Sequence, residues 1–532
     1  MSRMRQEEMA VFAKVKKENI LPAGWLIAGF IWNIWYQVVR GQAMLDSDMS
    51  SEMVLSDILN KEHSLSGVTT NWFYSTEIKC LHMQWLYRIG LALFPSNWHI
   101  ARTFSMFIAL ILLAFGVWLL FYAAGYSKQG IWAAAFTLLP GGSWYFWQTL
   151  YGGYYLPYIY IMLFTMSLSL MAVRNLRSIR SAVYLVIVAL LGLGSGLNGI
   201  KQLMVFYVPF VLSLSVMFVM HIREHASEKT DVRKLFSDNC FKLLCISIVS
   251  TLFSVVGYII NSKILSARYF FQQYDETKIG RGSFLEFLKQ YIWSFGFADN
   301  KLLMSGQGIA SMCGVVFGII VVCAGVFTVL RLPKLSYGLR YIAAFSVIAI
   351  TFNCFIFSYV GGEIQYFQSL VPLGYFLLVI MVNALDFKLE VSRKVVINAL
   401  MVILLITSLG TVYNESNEPF HDYRAKQNLN PVVKQLESMG YTDGISTFWT
   451  ANVVTELSDG TIDMWTVSPF SPTDWYIWLQ RRDHMERFPE GRYFYLYDNE
   501  EEDKMEINMA FLGNHPELVP IYADEKYTVY GN

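Results

Sequence analysis

The chain has 532 residues, 55% of them hydrophobic and only 15% charged, and its basic and acidic residues balance to zero net charge. A soluble domain carries about 25% charge, and here the shortage runs along most of the length. That excludes an ordinary soluble globular protein, predicts a polytopic membrane protein, and gives no footing for a nucleic-acid partner.

The N-terminal stretch MSRMRQEEMAVFAKVKKEN is basic and leads into a long apolar run without a small-residue cleavage site. It predicts an uncleaved first helix whose membrane span is Leu21–Arg40. GQAMLDSDMSSEMVLSDIL (Gly41–Leu59) follows at once, with Asp46 and Asp48 just past the span. A carboxylate at the bilayer centre costs about 2.5–3.5 kcal/mol; beyond the helix end that cost is avoided while a lipid headgroup stays within reach. In Met49–Glu62, Val54, Leu55, Ile58 and Leu59 take one side and Ser51, Glu52, Asp57 and Lys61 the other, the pattern of an interfacial amphipathic helix. Asp48 is the expected N-cap of that helix, which leaves Asp46 without a structural task. A second flat-lying helix is expected over Ile78–Phe94, interrupted by Lys79, His82, Gln84 and Arg88.

Ten more apolar segments match a hydrocarbon core of about 30 Å: Ala101–Tyr122, Ile131–Gln148, Leu156–Val173, Ala182–Gly199, Val205–Met220, Leu244–Ile260, Ile309–Leu330, Tyr341–Val360, Leu370–Leu385 and Val395–Val412. The expected total is about eleven spans. With that count the basic loops (the N-terminus, Arg174–Ser181, His221–Lys234, Arg331–Arg340 and Asp386–Lys394) all fall on one side, the cytoplasmic one. The loops Gly41–Ile100 and Asn261–Gly308 and the tail Asn414–Asn532 fall on the other. Residues 1–412 then form the membrane domain. The tail alternates strand-like runs (Gly444–Asn452, Thr461–Ser468, Gly491–Asp498, Lys526–Asn532) with helical stretches such as Pro431–Met439, and predicts a small extracytoplasmic α/β domain over 413–532. Six cysteines show no metal-ligand spacing and read as small apolar residues.

A cytoplasmic N-terminus, a first helix, an aspartate just beyond it and two interfacial helices in the first outward loop resemble the GT-C superfamily of membrane glycosyltransferases. Protein O-mannosyltransferases and bacterial aminoarabinose transferases are similar examples. The resemblance implies an integral protein of the cytoplasmic membrane that moves a hexose or pentose, with inversion, from a polyprenyl-phosphate donor to a glycan, lipid or protein acceptor in the cell envelope. It implies Asp46 as the general base and puts Asp48 where the family carries its second acid. The family's Pro-Pro-Leu stretch is replaced by NWFYSTEIKCL (Asn71–Leu81), which assigns Glu77 to the contacts made there.

Such chemistry needs cations for the leaving phosphate. Lys201 in the short NGIKQL loop and Arg268 beside a span rank first, followed by Arg281, Lys278 and Arg102; the alternative for each is a snorkelling anchor. Aromatic faces for a sugar are concentrated in Gly141–Tyr160, Tyr154 among them, where the alternative is an interfacial aromatic belt. Glu363 and Gln365 are further sugar contacts, unless that loop is simply exposed. The resemblance implies no certain cofactor; a divalent cation held by Asp275, Glu276 and the aspartate pair is the alternative. Phe448–Gly460, with Trp449, Asn452 and Glu456, either covers the site or is core of the accessory domain. Two other function classes stay open: a transporter or flippase of lipid-linked glycan, and a non-catalytic membrane subunit of an envelope assembly. The spans are almost free of acids and show no internal repeat, which weighs against the transporter.

Overall fold

The structure is a computed structural model that describes residues 2–225, 238–271, 280, 282–360, 364–385, 390–417, 429–501 and 504–532, with the backbone alone at 2–19, 225, 390–391 and 411–417. Helix α1 (Ser2–Arg40) passes through a short 3₁₀ turn at Gly41–Met44 into α2 (Ser47–Lys61), and these are followed by α3 (Gln84–Leu93) and α4 (Trp98–Ala123). Among the described residues nine helices are long and apolar enough to cross a membrane, from Trp98–Ala123 to Ser392–Gly410. Helix α1, whose side chains are described from residue 20 onward, stands outside that nine, so the expected total of eleven is not reached by this measure.

The expected span Ile131–Gln148 is not one helix. A helix runs over Ser127–Leu138, stops at Leu139 in extended backbone (ψ 126°), and resumes at Ser143–Tyr145 before a wide π turn at Phe146–Tyr151. Pro140 causes the break, because its ring disfavours a helical conformation at the residue before it. Gly141 and Gly142 then let the chain lie directly against Tyr375 and the Ser294 carbonyl, where a side chain would collide.

Further along, the helices Ile179–Gly196 and Asn239–Ile259 cross in backbone contact. A Cβ on Gly196 would strike the Ser254 carbonyl, one on Gly257 would strike Leu193, and the hydroxyls of Ser195 and Ser254 sit 3.0 Å apart. Small residues permit such an approach between membrane helices. The crossing fixes the turn that follows, Leu197–Lys201.

The expected interfacial helix over Ile78–Phe94 begins only at Gln84. Residues 78–83 are held out of helix by two asparagines from distant spans. Asn198 accepts from the Leu81 amide and donates to its carbonyl, both at 2.7 Å, and Asn261 donates to the Ile78 carbonyl at 2.8 Å.

Two sheets complete the fold. Strands β1 (Trp72–Tyr74), β2 (Phe270–Phe271), β3 (Asp443–Ser446), β4 (Asp463–Ser468), β5 (Ser471–Trp475), β6 (Gln480–Arg481), β7 (Phe494–Asp498), β8 (Val519–Ala523) and β9 (Tyr527–Gly531) form a six-stranded sheet of order β5-β4-β3-β7-β9-β8 and a three-stranded sheet of order β2-β1-β6. The larger sheet has apolar clusters of its own, one around Val432, Ile462 and Phe494 and one around Trp465, Tyr495 and Phe511. The smaller sheet joins three parts of the chain. Trp72 pairs with Arg481 and Phe73 with Gln480 antiparallel, while Phe73 pairs with Phe270 parallel. The C-terminal segment is thus stitched to the first loop at Trp72 and Phe73.

Candidate active site

Asp46, not Asp48, caps α2. Its backbone is extended (φ −122°, ψ 170°) and its Oδ1 accepts from the Met49 amide at 2.8 Å, the reciprocal geometry of an N-cap. Asp48 lies in the first turn, where the helix dipole favours a negative charge. The capping bond fixes the Asp46 carboxylate at the mouth of the helix, 7% exposed.

Asp46 and Asp48 line a cavity of about 570 Å³ that Glu77, Tyr154, Lys201 and Gln365 also line. Part of its wall is apolar, with Met204, Val205, Ile356, Phe357 and Val360 from the ends of two spans. Gln148 and Met204 enter it from wide π turns, Phe146–Tyr151 and Leu203–Tyr207, a local geometry enriched at functional sites. Gly199 holds φ +97°, and the Glu77 carboxylate sits against it at 2.9 Å from where a Cβ would be. The turn can therefore carry Lys201 inward only with glycine at this position.

Lys201 is enclosed by rings. Its Nζ donates to the Tyr155 hydroxyl at 3.2 Å and lies 4.7 Å from the centre of that ring, 5.6 Å from Tyr158 and 4.4 Å from Tyr366. Ring faces stabilise an ammonium. Burial pulls its pKa down to about 8, with Glu77 opposing and Lys79 adding to the fall.

A second chamber of about 130 Å³ shares Asp48, Thr76, Glu77 and Tyr154 with the first. Glu52, Lys79 and Trp72 also line it, together with Trp478 and Leu479 of the C-terminal segment. Lys79 Nζ donates to the Tyr154 hydroxyl at 2.5 Å. Behind it, His82 Nδ1 and Glu52 Oε1 are 2.6 Å apart, and the imidazole packs edge-on against Tyr154 and Tyr158. Burial raises the Glu52 carboxyl, but His82, Lys79 and Arg102 outweigh it and hold the group below its ordinary value. Burial also lowers Lys79 and His82 against the pull of Glu52.

The other expected residues separate. Arg102 is taken up in a buried ion pair with Glu456, so it does not offer a cation to the cavity. Arg268 is exposed, stacks on its neighbour Tyr269 at 5.7 Å, and does not line the cavity. Arg281, Glu363, Lys278, Asp275 and Glu276 lie outside the described residues. Among the described residues no group of three or more His, Cys, Asp or Glu is placed to hold a metal. Sequence reasoning passed over Glu52, Lys79 and His82. In the sequence they stand as polar positions of two interfacial helices, a pattern that does not tell an inward charge from an outward one.

No protein-family model matches the chain, and no curated protein matches its sequence. Solved structures do match its shape. ArnT from Cupriavidus metallidurans bound to undecaprenyl phosphate superposes with a TM-score of 0.55 at 10% identity, over 96% of this chain and 97% of that one. The apo form of the same enzyme gives 0.53 at 11% identity, over 96% and 98%. The oligosaccharyltransferase of Archaeoglobus fulgidus in its apo form gives 0.50 at 10% identity, over 93% of this chain and 71% of that one. At these identities the likeness is one of fold: the chain is an integral multi-pass membrane protein with the GT-C fold of membrane glycosyltransferases and a small C-terminal sheet domain.

Proposed function

We propose that this protein is a membrane glycosyltransferase. It transfers a sugar from a polyprenyl-phosphate donor to an acceptor glycan, lipid or protein at the outer face of the cytoplasmic membrane. The observation that carries this reading is the joint placement of a capped carboxylate, Asp46, and a ring-enclosed ammonium, Lys201, in one cavity with an apolar stretch of wall formed by Val205, Phe357 and Val360. Undecaprenyl phosphate in the ArnT structure supports a lipid phosphate as the ligand class.

In this reading the isoprenoid tail lies along Val205, Phe357 and Val360, and the phosphate meets Lys201. Asp46 takes the proton of the acceptor hydroxyl, within about 3 Å, as its oxygen attacks the anomeric carbon. The bond from that carbon to the phosphate oxygen breaks, the electron pair leaves with the phosphate, and attack from the opposite side inverts the anomeric centre. Lys201 stabilises the charge that grows on the leaving oxygen, and a preorganised cation does so without reorganisation. Asp48 lines both chambers, which supports a second assignment in which it removes the proton.

The test is turnover by purified full-length protein in proteoliposomes, given a panel of polyprenyl-phosphate hexoses and pentoses with lipid and glycan acceptors. Transfer from at least one donor is expected. No transfer from any donor would favour a non-catalytic subunit.

A further inference from the structure

The second chamber is built from parts that the larger cavity does not need. Trp478 and Leu479 line it from the C-terminal segment, which goes on to pair with β1 at Gln480 and Arg481. The segment is anchored before Trp478 by the Tyr476 amide, which donates to the Thr466 carbonyl at 2.8 Å, and after it by two further bonds. Asn452 donates to the Leu479 carbonyl at 2.9 Å, and the Arg482 amide donates to the Asn71 carbonyl at 3.0 Å. Leu479 holds φ +45°, a left-handed conformation that a branched apolar residue adopts only when its surroundings impose it. The result sets the half-buried Trp478 in the lining of the chamber that Trp72 also lines.

The lining chemistry is specific. Indole and phenol faces take the C–H face of a sugar ring, and carboxylates accept its hydroxyls. Asp48, Glu52 and Glu77 supply three carboxylates against the single ammonium of Lys79 among the described lining residues. The His82 contact keeps Glu52 an acceptor. A ligand carboxylate entering here would meet like charge at short range in a partly dry site, which is costly.

We propose that this chamber is a subsite for an uncharged sugar ring, walled by Trp478 of the C-terminal domain, and that it rejects rings bearing a carboxylate. The inference rests on the glycosyltransferase reading and adds to it what the C-terminal domain does and which sugars the protein excludes. The ring belongs either to the donor or to the acceptor; the chemistry is shared, and the two sources separate by experiment.

Binding to full-length protein in nanodiscs is measured for wild type, Trp478→Ala and Trp478→Phe, each checked for unchanged melting. The probes are undecaprenyl phosphate, its phosphoryl-linked glucose, galactose, mannose, arabinose and glucuronic acid, and the methyl glycosides of the same five sugars. If the donor ring is bound, at least one neutral sugar lipid binds fivefold or more tighter than undecaprenyl phosphate. Trp478→Ala then abolishes that gain and Trp478→Phe keeps most of it. If the acceptor ring is bound, a neutral methyl glycoside binds protein loaded with undecaprenyl phosphate, with the same dependence on residue 478. In either arm the glucuronic acid probe binds at least tenfold more weakly than the best neutral one. Absence of any dependence on residue 478 across the neutral panel, or glucuronate binding equal to neutral binding, overturns the proposal. Undecaprenyl phosphate itself should bind all three proteins alike. Its failure to bind any of them counts against the lipid-phosphate reading, while a methyl glycoside that still binds through Trp478 leaves the subsite standing.

Discussion

Arg102, one turn into α4, and Glu456, in the helix Phe448–Leu457, form a two-pronged ion pair with Nε to Oε1 at 2.5 Å and Nη2 to Oε2 at 2.7 Å. The partners are 354 residues apart, and their side chains are 2% and 3% exposed. The same guanidinium donates to the Tyr87 hydroxyl and the Met49 carbonyl, so it ties α2, α3 and α4 to the C-terminal domain. Removing one partner of a buried pair leaves an uncompensated charge. Glu456→Ala should therefore cost about 3–5 kcal/mol, seen as a lower melting temperature of the full chain in detergent. Replacing both partners, Arg102→Met with Glu456→Leu, should recover much of the loss.

Lys201 gives the site a pH dependence of known sign. Burial lowers its pKa to about 8, below the ordinary lysine value. Below pH 8 the ammonium is present and a lipid phosphate is held; above it the apo protein has lost the proton, and binding must take one up. Affinity for undecaprenyl phosphate should be flat from pH 7 to 8 and fall about tenfold per unit above that. Lys201→Met should bind weakly and show no break in this range. Lys201→Arg should move the break upward, because a guanidinium stays charged. Titration of the dissociation constant from pH 7 to 9.5 checks all three.

Asp46 has two separable tasks. Asparagine caps a helix about as well as aspartate, whereas alanine forfeits about 1 kcal/mol. Asp46→Asn should therefore melt as wild type does and Asp46→Ala somewhat lower, while both lose transfer alike. Transfer kept by Asp46→Asn and lost by Asp46→Ala would show that the cap, rather than the charge, matters to the site.

The glycine crossing sets the Lys201 turn. Gly196→Ala places a methyl group against the Ser254 carbonyl. Overpacking of this kind costs about 1–3 kcal/mol. The variant should lower thermal stability and weaken undecaprenyl phosphate binding together, since the two helices can separate only by moving Leu197–Lys201.

The spans were legible because a bilayer demands long apolar runs, and composition alone records them. Ile131–Gln148 was misread because it stays apolar through Pro140, where the backbone nevertheless breaks. Two aspartates two residues apart are equally good caps on paper, and only the backbone at Asp46 decides between them. Lys201 stood out as a lone cation between two spans, and it does face the cavity with Asp46. Lys79 and His82 could not be placed, since their inward direction depends on Asn198 and Asn261 holding residues 78–83 out of helix. The pairing of Arg102 with Glu456 and of β1 with β6 joins ends of the chain that carry no local sign of each other.

The central claim is that Lys201 holds the phosphate of the lipid-linked donor while Asp46 takes the proton of the acceptor in the same transfer. Single-turnover transfer of labelled sugar, with donor affinity measured in parallel, tests it most directly. Asp46→Asn should bind donor within twofold of wild type and transfer at least about a hundredfold more slowly, while Lys201→Met should lose donor affinity. Transfer by Asp46→Asn at the wild-type rate would contradict the account.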